Sequence, residues 1–271
     1  MLLSGIIAFF ELGLSTYRVH FSVGVSRGSL SRHWWCRFHR FAHCHPSGLR
    51  GAHGADSCIA NLPLKLPSRL LTLDEFDQAL ASGIRRSGVF LYHTACRECS
   101  ACEPSRVDVR KFDWRDSFLR VLKRGNQSLK IQISRPTLDE RRLAIFNQHR
   151  TQRRLGVAEG QYGPEDYQSF LIETCLEQSL EMSFWLDNAL VGISIVDCGR
   201  ISLSAVYTYF DTSHSKLSLG TYSILKQIEF ARDSGRQYAY LGMYVSENQH
   251  LSYKARFTPQ ERWVHGHWVE F

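Results

Sequence analysis

"ISLSAVYTYFDTSHSKLSLGTYSILKQIEFARDSGRQYAYLGMYV", residues 201–245, sets two alternating stretches around one helical stretch. In the first, Ile201, Leu203, Ala205, Tyr207 and Tyr209 recur at every second position, the period of a strand with one buried side. In the middle, Ile224, Ile228 and Ala231 recur at helical spacing, and Gly235 supplies the stop that a helix end favours. "QYAYLGMYV" (237–245) reads as the second strand. Upstream, Leu180, Met182, Phe184 and Leu186 share one face of "LEMSFWL", and "ALVGISIVD" (189–197) continues the pattern. Short turns at Asp187-Asn188 and Gly199 join these runs, and "RWVHGHWVEF" (262–271) reads as a last strand. The pattern predicts an α+β domain with a mixed, largely antiparallel sheet.

Toward the amino terminus, Thr72 and Glu75 form a helix-starting capping box, and Gly83 ends that helix. "GVFLYH" (88–93) and "RVDVRKF" (106–112) read as strands on either side of a cysteine cluster. A basic amphipathic helix around 115–124 and a short strand around 129–133 follow. "TLDERRLAIFNQHRTQRRL" (137–155) reads as a charged helix opened by a second box, Thr137 to Glu140, and Pro164 starts another. Residues 1–57 hold no sustained period and read as a disordered or upstream-translated extension, although Cys36, His39, His43, Cys44 and His45 could form a ligand set. The expected division is 1–57, an amino-terminal cysteine-cluster domain at 58–135, and a carboxy-terminal domain at 136–271.

With 271 residues and 44% hydrophobic content, the chain can bury one large core or two modest ones. No stretch approaches the roughly 20 apolar residues of a membrane span. "MLLSGIIAFFELGL" lacks a basic start and carries Glu11 inside its apolar run, so it reads as non-secretory and the chain as cytoplasmic. In a reducing compartment, clustered cysteines favour metal binding or chemistry over disulfides. Of the net charge of +7, residues 1–56 contribute six Arg against Glu11 and Asp56, so the remainder is only mildly basic. That balance is compatible with contact with nucleic acid without requiring it.

Cys96, Cys99 and Cys102 are separated by two residues each, with Pro104 just beyond. Such spacing turns thiolates toward a common centre, and Cys58 is the nearest fourth candidate. Four cysteines suit zinc or an iron–sulfur cluster equally. Cys175 and Cys198 read as packing residues.

"SGIRRSGVFLYHTACRECSACEPSRVDV" (82–109) resembles the amino-terminal signature of the arginyl/leucyl-tRNA–protein transferase family. "SAVYTYFD" (204–211), "SLGTYSILKQIEFARDSGRQYAYLGMYV" (218–245) and "LSYKARFTP" (251–259) resemble its carboxy-terminal signature, in order. The likeness covers about 58–271 and leans to the bacterial aspartate/glutamate leucyltransferase branch. It implies a carboxy-terminal half folded like acyl-CoA N-acyltransferases (GNAT-like) but fed by aminoacyl-tRNA rather than CoA. It also implies transfer of leucine, with arginine as the alternative, to proteins that begin with Asp or Glu, marking them for N-end-rule degradation. Cys58 and the 96–102 cluster correspond to the family's metal or iron–sulfur cysteines. Two departures stand out: "CIANLP" (58–63) lacks the tyrosine that often follows the family's first cysteine, and "YLGMYVSENQHLSYK" (240–254) has Met243 where an aromatic is usual and Asn248 where a cysteine is frequent.

An acidic protein terminus needs cations. "RRSG" supplies Arg85, Arg86 and Ser87, and Arg106 follows the cysteines. The start of "SLGTYS", with Leu219, Gly220, Thr221 and Tyr222, would offer free N–H groups to the aminoacylated adenosine end. Tyr207, Tyr222, Tyr244 and Tyr253 could stack, and Lys254 and Arg256 could reach phosphate or the reaction centre. Tyr207, Tyr253 and Lys254 are the candidate catalytic side chains, and no Ser-His-Asp or Cys-His set stands out. The helix at 138–155, with Arg141, Arg142, Arg150, Arg153 and Arg154, could hold tRNA or present a solvated face. The expected partners are aminoacyl-tRNA and a protein terminus, with no membrane and a monomeric chain. Two other readings stay open: an acyl-CoA N-acetyltransferase, whose glycine loop "KLSLGTYS" only partly supplies, and a non-catalytic zinc module.

Overall fold

The computed structural model describes residues 61–97, 99–155 and 160–271, with the strand backbone of β1 (His43–Cys44) and β2 (Cys58–Ile59). The expectations for 1–57, including the 36–45 ligand set, otherwise lie outside the described residues. β1 and β2 pair antiparallel, with Cys44 opposite Cys58.

A small antiparallel sheet in the order β3-β5-β4 combines β3 (Leu64–Lys65), β4 (Arg85–Ser87) and β5 (Phe90–Tyr92). Helix α1 (Leu73–Ala81) opens with the expected capping box: Glu75 N–H donates to the Thr72 hydroxyl, and Thr72 N–H donates to the Glu75 carboxylate at 2.9 Å. Its apolar face, Phe76, Ala79 and Leu80, is buried.

The main sheet has eight strands. They are β6 (Glu103–Asp108), β7 (Leu129–Ser134), β8 (Ser179–Leu186), β9 (Ala189–Cys198), β10 (Ser202–Phe210), β11 (Tyr238–Tyr244), β12 (Glu261–Val264) and β13 (His267–Glu270). Their order is β13-β12-β6-β11-β10-β9-β8-β7, and only β10 and β11 run parallel. The crossover between them is α5 (Leu219–Asp233), as the 201–245 pattern requires. α5 and α2 (Asp116–Ser128) bury Leu122, Tyr222, Leu225 and Ile228 against Leu203, Ala239 and Leu241 on one face. The other face carries α3 (Glu140–Gln152) and α4 (Pro164–Tyr167), which runs into a π-helical turn, Gln168–Ile172. There Ile145, Phe146, Tyr167 and Leu171 pack on Leu190, Ile193 and Ile195. α1 and the small sheet cover the rest of that face through Phe76, Leu80, Leu91 and Tyr240.

Four expectations change. β6, α2 and β7 belong to the main sheet and its helix layer, so a boundary at 135/136 does not follow the sheets. Tyr207 and Tyr209 do not share a side with Leu203: a bulge between Ala205 and Tyr207 inserts Val206 and turns both tyrosines to the α3 face. The final run is a hairpin, β12 and β13, turned by His265 and Gly266 at φ 49° and 85°. α3 is capped by Asp139, which accepts from Arg142 N–H at 2.7 Å, because its short carboxylate precedes the first turn and Thr137 lies outside it.

α2 and α5 touch most closely at Gly125, where an added Cβ would stand 2.2 Å from the Tyr222 ring. Tyr222 is fully buried and donates its hydroxyl to Asn126 at 2.9 Å, so it cannot yield easily. Gly125→Ala is expected to destabilise the protein by about 1–3 kcal/mol despite alanine's better helix propensity, read as a lower urea midpoint. An unchanged or raised midpoint would show that the helices part freely.

Candidate active site

β10 and β11 hydrogen-bond only along Ser202–Ser204 and Tyr238–Tyr240. Beyond that ladder β10 continues to Phe210 paired with β9, and β11 continues to Tyr244 paired with β6. Bulges sit at the point of divergence on both strands, after Ala205 and after Tyr240. The carboxyl ends of the two parallel strands therefore splay, and such a crevice is where open α/β sheets hold ligands.

The three arginines proposed for an acid pocket have different fates. Arg86 grips Asp197 with two bonds, 2.6 and 3.0 Å, and also donates to the carbonyls of Gly88 and Glu173. Both side chains are 1% exposed, so Arg86 is spent on holding β4 to β9. Arg106 pairs with Glu261, donates to the Tyr240 hydroxyl at 2.9 Å and lies between Tyr238 and Trp268, 4.0 and 4.1 Å from their ring centres. Arg85 is buried, yet its two terminal nitrogens have no hydrogen-bond partner among the described residues. Ser87, on the same face of β4, is also buried with its hydroxyl unpartnered among them.

Lys254 completes the group. It comes from a short 3₁₀ turn, Ser252–Arg256, and donates to the Met243 carbonyl at 2.7 Å. Asn248 shapes that approach: its side chain accepts from His250 N–H and its carbonyl from Leu251 and Ser252 N–H. Gly242 lies between the two cations; a Cβ there would be 3.7 Å from Arg85 Nη2 and 3.8 Å from Lys254 Nζ. At φ +95° this position also suits glycine, which keeps the space open. Burial, with Arg85 beside it, pulls the Lys254 ammonium down to about 7. Two buried cations facing one small space, with no carboxylate of the described residues between them, have the chemistry that suits an anion.

The other proposed residues divide as follows. Tyr207 has a buried hydroxyl without a partner among the described residues, and Tyr253 is 37% exposed with Lys254 Nζ 5.4 Å from its ring centre. Arg153 lies within electrostatic range of both tyrosines. Tyr244 stacks under Arg262, 3.7 Å from its ring centre, and Arg256 is exposed. α5 starts after Ser218 in the left-handed region, with no side chain capping its first turn. Leu219 and Tyr222 are core residues, and Gly220 seats against the Phe210 ring, which leaves the backbone from Leu219 to Thr221 and the half-buried Thr221 side chain to serve a ligand there. In α3, Arg142 pairs with Asp139 and Glu181, Arg141 donates to the Leu190 carbonyl, and Arg150 is buried over Tyr162. They are structural, which leaves Arg153 and Arg154 for solvent.

Cys96, Cys99 and Cys102 are half-buried and pack around Leu62 with Tyr92, the strand partner of Arg85. Asn61 N–H donates to Cys96 Sγ at 3.2 Å, and Asn61 and Ala95 exchange further bonds. Cys58 stands three residues before Asn61, about 10 Å of chain at most. Three cysteines with a fourth nearby in the chain are a donor set whose chemistry suits zinc or an iron–sulfur cluster, and no three His, Cys, Asp or Glu side chains among the described residues stand at metal-holding distances. Cys175 and Cys198 are buried, and burial pushes both thiols up to about 11, as packing residues require. Sequence reasoning missed Asp197 and Gly242; only a glycine inside an alternating strand hinted at the second.

Residues 49–120 match the family described as "Arginine-tRNA-protein transferase, N terminus", and residues 141–264 match its "C terminus" counterpart. An aspartate/glutamate leucyltransferase of Stenotrophomonas maltophilia (strain R551-3) is 33% identical over 217 residues, 75% of this chain and 86% of that one. One from Methylobacillus flagellatus is 32% identical over 202 residues, covering 74% and 81%. A solved tandem GNAT protein from the clavulanic acid biosynthesis pathway overlaps 76% of this chain and 61% of that one, at 16% identity and a TM-score of 0.39.

Lys254 has a measurable consequence. It holds its proton less tightly folded, near 7, than unfolded, at the ordinary 10.5, so between those values the unfolded chain binds the extra proton. Stability is therefore lost as pH falls across that window. Lys254→Met removes this term, so the variant should gain on the wild type between about pH 10 and about pH 6.5 in urea titrations. A difference constant with pH would show that Lys254 is not buried as a cation.

Proposed function

This chain belongs to the arginyl/leucyl-tRNA–protein transferase family, and from that premise we propose that Arg85, Ser87 and Lys254 receive the side-chain carboxylate of the acceptor's first residue. The protein transfers leucine from leucyl-tRNA to the α-amine of proteins that begin with Asp or Glu, an N-end-rule mark. The observation that carries the assignment of the pocket is the pair of buried cations without a carboxylate among the described residues. Arg86 and Arg106 support the pocket from behind.

The chemistry asks little covalent work of the enzyme. The donor ester is activated, and an α-amine with a pKa near 8 is partly neutral at physiological pH. Its nitrogen attacks the ester carbonyl, a C–N bond forms, and the ribose oxygen leaves with the proton that the amine gives up. Alignment and oxyanion stabilisation supply the acceleration. In a GNAT-like layout of the carboxy-terminal half, the splay between β10 and β11 takes the aminoacylated adenosine, and the uncapped backbone from Leu219 to Thr221 faces its polar groups. Tyr207 and Tyr253 line the approach, with Arg256 outside. Anchoring the carboxylate fixes where the α-amine sits, two carbons away in Asp and three in Glu, so recognition and alignment become one act. A monomer acting in the cytoplasm suffices for this reading.

Cys58, Cys96, Cys99 and Cys102 would hold zinc or an iron–sulfur cluster within the amino-terminal region. When bound, such a centre crosslinks the loop between β5 and β6 to the segment before β3. Through Tyr92 it steadies β5, on which Arg85 is registered.

The function is tested with purified protein, tRNA charged with labelled leucine or arginine, and peptides beginning with Asp, Glu or Ala. Leucine should reach the Asp and Glu peptides alone; no transfer to either would overturn the reading. Arg85→Met should lower kcat/KM for acidic peptides by about 2–5 kcal/mol of transition-state stabilisation while the protein stays folded. Equal activity on Asp peptides would place the pocket elsewhere. Cys99→Ala should abolish bound iron or zinc by elemental analysis, and unchanged metal content would refute the four-cysteine centre.

A further inference from the structure

We propose that the exposed face of α2 is the docking surface for the phosphodiester backbone of the donor RNA, an inference that rests on the reading of the donor as an aminoacyl-tRNA. Between Ser117 and Leu138 the chain carries Arg120, Lys123, Arg124, Lys130 and Arg135 and no acid. Helical spacing gathers three of these on one side: Arg120, Lys123, Arg124 and Gln127 are exposed, whereas Phe118, Leu122 and Gly125 are buried.

The stripe stands out because three unmatched cations share one helix face, whereas several surface cations elsewhere are matched. Arg69 pairs with Glu75, Arg110 with Asp108, Arg200 with Asp74 and Arg232 with Asp233. Among the described residues, Arg120, Lys123, Arg124 and the neighbouring exposed Lys216 have no acidic partner. Arg124 instead donates to the carbonyl of Lys216, which brings the helix stripe against the turn at Thr212–Leu217. A row of unmatched cations on a rigid helix suits a polyanion and carries no base preference.

Its location is what links it to the donor. Gly125 and Asn126 touch Tyr222 in the first turn of α5, so this half of α2 lies at the start of that helix. α5 starts beyond the carboxyl end of β10, the end at which β10 and β11 part. An RNA lying along α2 can thus pass its 3′ end into the splay. The arginines of α3, the more conspicuous run in sequence, are largely occupied inside the protein.

The test compares the full-length wild type with R120E/K123E/R124E in leucine transfer, varying leucyl-tRNA, acidic peptide and salt separately. The KM for leucyl-tRNA should rise at least tenfold. The slope of log affinity against log salt should shrink by roughly 2–3, at about 0.7–0.9 per lost phosphate contact. The KM for peptide and the melting temperature should not move. An unchanged KM for leucyl-tRNA with an unchanged salt slope would overturn the surface assignment, as would an effect confined to the peptide. Failure of the wild type to transfer leucine would instead sink the donor reading. If the triple variant does not fold, Lys123→Glu and Lys216→Glu singly should each raise the KM for leucyl-tRNA about threefold, and no effect from either would refute the proposal.

Discussion

The bidentate pair between Arg86 and Asp197 is the constraint from which the site follows. It joins two elements distant in sequence, β4 of the small sheet and β9 of the main one, with both side chains almost wholly removed from water. Such a pair adds little net stability over a well-packed apolar contact, but it tolerates only one geometry. The bonds from Arg86 to the carbonyls of Gly88 and Glu173 narrow that geometry further. Because side chains alternate along a strand, fixing Arg86 on one face of β4 fixes Arg85 and Ser87 on the other. The neutralised arginine positions the unneutralised one.

Arg85 and Lys254 then stand close together without the counter-charge that buried cations need. Burial lowers the proton affinity of both, an electrostatic cost borne by the folded chain. The surrounding aromatic wall, including Tyr240 at 5.5 Å from the Arg85 guanidinium, offsets part of it. On the proposed assignment, an incoming carboxylate would relieve the remainder and so link substrate binding to local stability. Sites that trade stability for function are expected to break local rules in this manner.

What could be read from residue order alone was whatever depends on neighbours in the chain. The capping box at Thr72, the helix with Ile224, Ile228 and Ala231, and the strand runs around it are local patterns, and they appear where expected. The side-switch at Val206 was not legible, because a bulge is decided by the partner strand. Nor could the arginines be ranked: Arg86 is matched by Asp197 and Arg106 by Glu261, both far away in sequence. The arginines of α3 misled for the same reason, since Glu181 and Tyr162 claim two of them from other segments. The missed hairpin is different, because the His265-Gly266 turn was visible in the sequence.

One consequence of the splay concerns traffic. α2 lies on one face of the eight-stranded sheet, and β4, which carries Arg85, lies on the opposite face with Tyr240. The sheet lies between them, and the β10–β11 ladder ends at Ser204 and Tyr240. On the proposed assignments the two reactants would approach from opposite faces, which would let either bind first. The same separation would let the lengthened polypeptide back out while the spent nucleic acid is still in place.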